Sequence, residues 1–324
     1  MVLEQLHAVI SDARRVLLTG PEDPDGDSIG ACLALQRVIG HLSGAVVHVA
    51  GDPGFRYRWM ARAAEMIPDE DVTGRYDLAV VLDGDQRRLT PPVQRAFQDA
   101  TRTAIIDHHG TTSADGYDVA WIERHAASTC GMVLEAMDAW GVPLDPDIAG
   151  LLYAGIIFDT GGFRYSNTTA DTHRKAARLL DAGIDHASIA VRVLMERRRS
   201  GMLLQARVLD TATFHGDGAV VQGVVSLATR EELGASRGDV EGIVDTMVYV
   251  EGVEVAVLLV ERGPDRVKLS LRSRGKVNVA DVARALNPAG GGHAKAAGVV
   301  LEQSLDTARR RLPDVLAAAV RSGS

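Results

Sequence analysis

Apolar and polar positions alternate along this chain in two distinct ways. In the first half, short apolar runs recur between stretches with helical spacing. Leu3, Leu6, Val9 and Ile10 predict a helix over residues 1–13. Arg15 to Thr19 reads as a strand, Ile29 to Ile39 as a helix and Ala45 to Ala50 as a second strand. The stretch Asp52 to Trp59 reads as loop and Met60 to Met66 as a short helix. A strand follows at Leu78 to Leu82, a helix at Pro91 to Asp99 and a buried strand at Ala104 to Ile106. Ser128 to Trp140, Asp147 to Phe158 and Thr168 to Ala182 read as helices, the last stopped by Gly183. Strands alternating with helices in this way predict an α/β fold with a doubly wound, mostly parallel sheet.

The second half reads differently. Ile184 to Leu204 has a helical pattern and carries Arg197, Arg198 and Arg199 in a row, most simply a solvated charged face. Val220 to Ser226 and Val253 to Val260 read as strands. Arg266 to Arg274 alternates strictly, with Val267, Leu269 and Leu271 on one face. The other face carries Arg266, Lys268, Arg272 and Arg274, which suits either a charged sheet edge or a surface that holds an anion. Val279 to Leu286 predicts a helix. Gly290, Gly291, Gly292 and His293 then precede a run of small residues. Read as the start of another helix, that run would offer N–H groups to a phosphate. The pattern divides the chain into an α/β domain at 1–185, a helical linker at 186–204 and a smaller α/β domain at 205–324.

The residues at the ends of the apolar runs carry the candidate chemistry. The first strand runs into Asp25 and Asp27, the Leu78 strand into Asp83, and the Ala104 strand into Asp107, His108 and His109. The apolar segment Leu151 to Phe158 delivers Asp159 where a helix should give way to a loop. One Asp after a strand is ordinarily a cap or a turn residue. Four such segments together describe a cluster of hard oxygen ligands with imidazole, which suits Mn2+ or Mg2+. In α/β sheets ligands sit beyond the carboxyl ends of the strands, where these groups fall.

At 324 residues the chain has room for two domains of ordinary size. Its net charge of -8 argues against coating long duplex nucleic acid, and 4% aromatic residues argue against a long stacking platform. Neither excludes a small anionic substrate held by a local basic patch. Cys32 and Cys130 lie in apolar helical contexts and read as core residues, neither a disulfide nor a metal pair. No long apolar span and no basic leader appear, so the expected compartment is the cytoplasm, away from membranes.

In order and spacing, Pro24, Asp25, Gly26 and Asp27, then Asp83, then Asp107, His108 and His109, then Asp159, Thr160 and Gly161 resemble the DHH phosphoesterases. Gly290 to His293 and Arg272 resemble that family's C-terminal substrate domain, so the likeness spans essentially the whole chain. Phe163 to Thr168 is most similar to the branch that contains nano-RNases and 3′-phosphoadenosine 5′-phosphate phosphatases. The resemblance implies two divalent ions, usually Mn2+, with Mg2+ or Co2+ also compatible. By that likeness Asp25 would bind one ion and Asp27 the other, Asp83 would bridge them, and His108 and Asp159 would complete the coordination of the second ion. Asp107 would orient a histidine and His109 would face the scissile phosphate. Arg272, Gly291, Gly292 and His293 would grip the substrate. The implied substrates are short RNA oligonucleotides or phosphorylated nucleotides, with cyclic or linear dinucleotides as the alternative.

One position departs from the family's pattern. Many members carry a histidine four residues before the first Asp of the loop, where this chain has Pro21, which cannot coordinate. That departure motivates a second reading, a nucleotide-binding module whose metal site has decayed. The retained aspartates and both histidines weigh against it. Oligomeric state is left open, a homodimer included.

Overall fold

The computed structural model describes residues 1–62 and 65–323. The chain divides into two compact units, Met1–Glu196 and Arg197–Ser324.

In the first unit α1 (Val2–Asp12), β1 (Arg15–Thr19), α2 (Gly26–Leu42) and β2 (Val46–Ala50) follow the apolar pattern closely. Next come a one-turn α3 (Gly54–Tyr57), a short β3 (Met66–Ile67), β4 (Leu78–Leu82), α4 (Pro91–Gln98) and β5 (Arg102–Asp107). Then β6 (Val119–Ile122), α5 (Thr129–Trp140), α6 (Pro146–Asp159), α7 (Ala170–Asp181) and α8 (His186–Ala190) complete the unit. The six strands form one sheet in the order β3-β2-β1-β4-β5-β6, and every pairing is parallel. Strand order reverses between β1 and β4, the switch point at which doubly wound sheets bind ligands. Both faces are covered, so the strands are apolar throughout instead of alternating. The helices α1, α2, α5 and α6 seal one face over Val16, Leu18, Val80 and Ile106. On the other face α4 covers Leu17, Ala79 and Val81 with Val93 and Phe97.

One expectation for this unit is corrected. The helix expected over Met60 to Met66 is not formed by the described part of that stretch, whose residues 63 and 64 lie outside the described set. The helical turn sits earlier, at Gly54–Tyr57, and Met66 and Ile67 instead pair with Val49 and Ala50. So short a helix is marginal on its own, and a strand edge offers ladder bonds in its place. The stretch Ile184 to Leu204 is largely helical, as its pattern predicts, but in separate pieces. A turn of wider π-type bonding covers Val191–Met195, Glu196 is extended, and a new helix, α9, spans Arg199–Asp210.

The second unit continues with β7 (Thr213–His215), β8 (Val220–Val225), α10 (Leu227–Glu232), α11 (Ile243–Val248), β9 (Val255–Gly263) and β10 (Arg266–Ser273). It closes with α12 (Val279–Leu286), β11 (Gly291–His293), β12 (Ala296–Leu301) and α13 (Leu305–Gly323). Its six-stranded sheet has the order β11-β12-β10-β9-β8-β7 and is antiparallel except between β8 and β9. As the alternation predicts, Val267, Leu269 and Leu271 are buried, here beneath α12 and α13. The small residues after His293 do not begin a helix. They form β12, joined to β11 by a two-residue turn at Ala294 and Lys295. Val299, Val300 and Leu301 prefer the pleated surface, and pairing with β10 satisfies their backbone.

Among the described residues no helix is long and apolar enough to cross a membrane. Cys32 and Cys130 are buried free thiols.

Candidate metal centre

Each acidic group is placed by the element that precedes it. Asp25 is the N-cap of α2, and its Oδ1 accepts the backbone N–H groups of Asp27 at 3.0 Å and Ser28 at 3.1 Å. Asp27, in the first turn of that helix, is fully buried. Asp83 follows β4 with φ of 60°, a left-handed conformation that costs an L-residue about 1–2 kcal/mol and that Asp tolerates better than most. That turn brings its carboxylate back towards β5. Asp159 is the last residue of α6.

These groups converge on one imidazole. His108 Nε2 lies 3.0 Å from Asp159 Oδ2, 3.3 Å from Asp83 Oδ1 and 3.9 Å from Asp27 Oδ2. Asp27, Asp83 and His108 each offer a ligand atom within 4.8 Å of the others, all buried. The other ring nitrogen, Nδ1, is 3.1 Å from the carbonyl of Ala126, which fixes that nitrogen as the donor and turns Nε2 towards the carboxylates. His109 is held separately. Its Nδ1 is 2.7 Å from Asp107 Oδ1, and Asp107 also accepts a bond from the Thr112 hydroxyl. Asp107 is fully buried and sits behind His109, directing Nε2 of that ring away from itself.

The electrostatics show an overcrowded anionic site. Burial, followed by the charges of Asp83 and Asp159, pushes the carboxyls of Asp25 and Asp27 well above the usual range. Burial also acts to raise Asp83, but the His108 hydrogen bond, both imidazole charges and the Thr129 hydroxyl outweigh it and hold this carboxyl low. Burial would lower His108; the neighbouring Asp159 and Asp83 reverse that and raise it well above an ordinary imidazole. Asp159 Oδ2 is buried and, despite its closeness to His108, accepts no well-directed hydrogen bond among the described residues. Clustered carboxylates in a dry site are stable when a cation lies between them. The donor set, carboxylate oxygens with an imidazole nitrogen, therefore fits a hard or borderline divalent ion.

Pro21 is buried, and Gly84 approaches its ring. Glu22 is exposed and borders a different recess with Asp52, Arg58 and Asp69.

The second unit brings its expected residues together through strand register. Arg272 pairs with Ala296, which pairs with His293 across the next ladder. Cross-strand partners share a face, so Arg272 and His293 lie on the same face about 10 Å apart, with only Ala296 between them. The adjacent row on that face is Ser270, Gly298 and Gly291, a floor of small side chains. Arg272 Nε donates to Asp245 Oδ1 at 2.6 Å, which fixes the guanidinium. Of the other cations expected on this face, Arg266 faces Glu302 at 3.6 Å and Arg274 lies over the Tyr249 ring. The glycines have backbone reasons. A Cβ on Gly290 would stand 2.5 Å from the carbonyl of Ala283, and Gly292 has φ of 133°.

Sequence reading passed over Thr112 and Thr129, and Asn167 entered only as part of the Phe163 to Thr168 likeness, with no role of its own. Thr129 donates its hydroxyl to Asp83 at 3.1 Å, and Asn167 donates to the carbonyls of Ala127 and Asp159. A Ser-Thr pair before an apolar helix is ordinary capping sequence, so it carried no separate signal.

Residues 15–156 match the N-terminal domain of the DHH family, and residues 217–321 match the DHHA1 domain. The chain is 35% identical to the bifunctional oligoribonuclease and PAP phosphatase NrnA of Thermus thermophilus, over 90% of this chain and 85% of that protein. It is 28% identical to the protein of the same name from Bacillus subtilis, over 76% of this chain and 77% of that one. Among solved structures, an exopolyphosphatase-related protein from Bacteroides fragilis superposes with a TM-score of 0.83 at 22% identity. That superposition covers 99% of this chain and 96% of the other, a likeness of fold.

Proposed function

The chain belongs to the DHH phosphoesterase family and carries a DHHA1 domain, and from that premise we propose that it hydrolyses short oligoribonucleotides to mononucleotides. In the same reading it also dephosphorylates 3′-phosphoadenosine 5′-phosphate. The observation that carries the proposal is the convergence of Asp27, Asp83 and Asp159 on Nε2 of His108. It is supported by relatives named for both activities.

Residues 1–185 are the proposed catalytic domain, residues 205–324 the proposed substrate-binding domain, and 186–204 the connection. Asp25 is assigned to one ion, Asp27, His108 and Asp159 to the other, and Asp83 to both, with Mn2+ as the proposed metal. Divalent ions held there would activate a water and neutralise charge on the phosphoryl group. Asp107 keeps the His109 ring at a fixed angle, and Nε2 of His109 meets the scissile phosphate. Arg272 and His293 hold the anionic substrate over the small-residue floor, where Gly291 leaves room for the ligand and Gly292 shapes the strand. The proposed compartment is the cytoplasm, and a second copy of the chain is no part of this reading.

The test is hydrolysis of a labelled RNA dinucleotide by purified protein with Mn2+, beside a long oligoribonucleotide, 3′-phosphoadenosine 5′-phosphate and a cyclic dinucleotide. Rapid cleavage of the dinucleotide, with the long strand spared and activity lost in His108→Ala, is the expected result. Preference for the cyclic dinucleotide would reassign the substrate. Nucleotide binding without any turnover would replace the proposal with a binding module.

A further inference from the structure

Five consecutive residues at the entry to α5, Ala126 to Cys130, touch or tether most of the candidate ligands. The carbonyl of Ala126 is 3.1 Å from Nδ1 of His108. The carbonyl of Ala127 accepts from Nδ2 of Asn167 at 3.0 Å, and the same amide nitrogen donates to the carbonyl of Asp159 at 3.1 Å. An amide nitrogen has two hydrogens, so these bonds fix the Asn167 side chain and tie the end of α6 to this segment. The N–H of Thr129 reaches Asp27 Oδ2 at 2.6 Å, and that of Cys130 reaches Asp27 Oδ1 at 2.9 Å. Both oxygens of Asp27 are thereby held at the N-terminus of α5, where the helix dipole favours an anion. The Thr129 hydroxyl donates to Asp83 Oδ1 at 3.1 Å. Ser128 keeps the helix start in place, its hydroxyl accepting from the N–H of Gly131 at 3.0 Å.

We infer that Ala126–Cys130 is the positioning template of the metal centre and that Thr129 is its central positioning residue, setting the separation of Asp27 and Asp83. The inference rests on the metal-dependent phosphoesterase reading and deepens it. Asp27 is carried by α2 and Asp83 by the turn after β4, and no ladder bond joins those two elements at this point. Their ligand oxygens lie within 4.8 Å of each other, so like charge drives them apart. Thr129 holds one with its backbone N–H and the other with its hydroxyl. One residue therefore fixes the distance between two carboxylates that arrive from different parts of the chain. Asn167 tethers the backbone of Asp159 to the Ala127 carbonyl of the same segment.

The inference is tested on the full-length protein with Thr129→Val, Thr129→Ser and Asn167→Ala. Val keeps the shape and loses the donor; Ser keeps the donor. Mn2+ binding is read by calorimetry after chelation, together with thermal melting in chelator and the Mn2+ dependence of dinucleotide hydrolysis. Loss of a group that orients a ligand ordinarily weakens metal affinity about 10–100-fold. A fall of that size is expected for Thr129→Val, with kcat at saturating Mn2+ changed far less and with Thr129→Ser close to wild type. Asn167→Ala is expected to weaken Mn2+ binding in the same direction, and it decides the matter if the Val protein does not fold. A change confined to thermal melting, with Mn2+ affinity of the folded variants unchanged, overturns the template. Failure of the underlying reading looks different: wild-type protein itself would bind no Mn2+.

Discussion

Replacing Asp25 separates its two jobs, capping α2 and, in the proposed function, holding an ion. One oxygen, Oδ1, accepts the N–H groups of Asp27 and Ser28, and an Asn oxygen can accept both in the same way. Asn and Asp are near-equal N-caps, whereas Ala at such a position costs about 1 kcal/mol. In a unit the size of Met1–Glu196, that is a fall of about 2–4 °C in melting temperature. Charge acts in the other direction. The folded-state pKa of Asp25 is raised by burial and by Asp83, Asp159 and Asp27, above an unfolded value near 3.9. Its favourable contribution is therefore complete below about pH 4 and is lost as pH rises through the folded value. Asp25→Asn removes that loss at neutral pH. In chelator the Asn variant should melt at or above wild type, and Asp25→Ala below Asn by the capping term. With Mn2+ at a hundred times its Kd, wild type should gain about 2.7 kcal/mol, and both variants much less. Differential scanning calorimetry in chelator and in Mn2+ reads both quantities. Two outcomes would refute the reasoning: an Asn variant as unstable in chelator as the Ala variant, or one that keeps the full response to Mn2+.

Three further outcomes are expected. In chelator, stability should fall as pH rises from about 6.5 upward, because the raised folded pKa of His108 loses its contribution there. It should fall again in acid, where Asp83, held low in the fold, is protonated; a melting curve still rising at alkaline pH would contradict this assignment. Gly155→Ala would place a methyl 2.5 Å from Asp27 Oδ1 and closer still to Cys130 Sγ, an overpacking of about 1–3 kcal/mol that should also weaken Mn2+ binding. Adding Cys130→Ala should recover part of the melting temperature, and no recovery would place the clash elsewhere. Asp107→Asn should lower kcat about 10²–10⁴-fold by disturbing the His109 ring while leaving calorimetric Mn2+ binding nearly intact, so a parallel loss of both would move Asp107 into the metal shell.

Much of the molecule was legible in the sequence because burial leaves a periodic trace. Strands covered on both faces had to be apolar throughout, so β1, β4 and β5 stood out, and the polar residues after them could only lie at their carboxyl ends. The strict alternation of β10 likewise fixed which side chains entered the core and which could meet a ligand. Chain order thus located Asp27, Asp83, Asp107 and His108 without any knowledge of how their elements came together.

Tertiary structure decided the rest. The strand β6 is only four residues long, buried and half-buried in turn, a run too short to stand out by its pattern, and its pairing with β5 makes it a strand. The small residues after His293 suit a helix or a strand equally, and ladder bonds to β10 selected the strand. The bracket around Asp27, Asp83, His108 and Asp159 consists mainly of backbone N–H and C=O groups from Ala126 to Cys130. Every residue except proline carries both groups, so no choice of side chain records which of them meets a carboxylate. That depends on where α2, α5 and α6 finally lie.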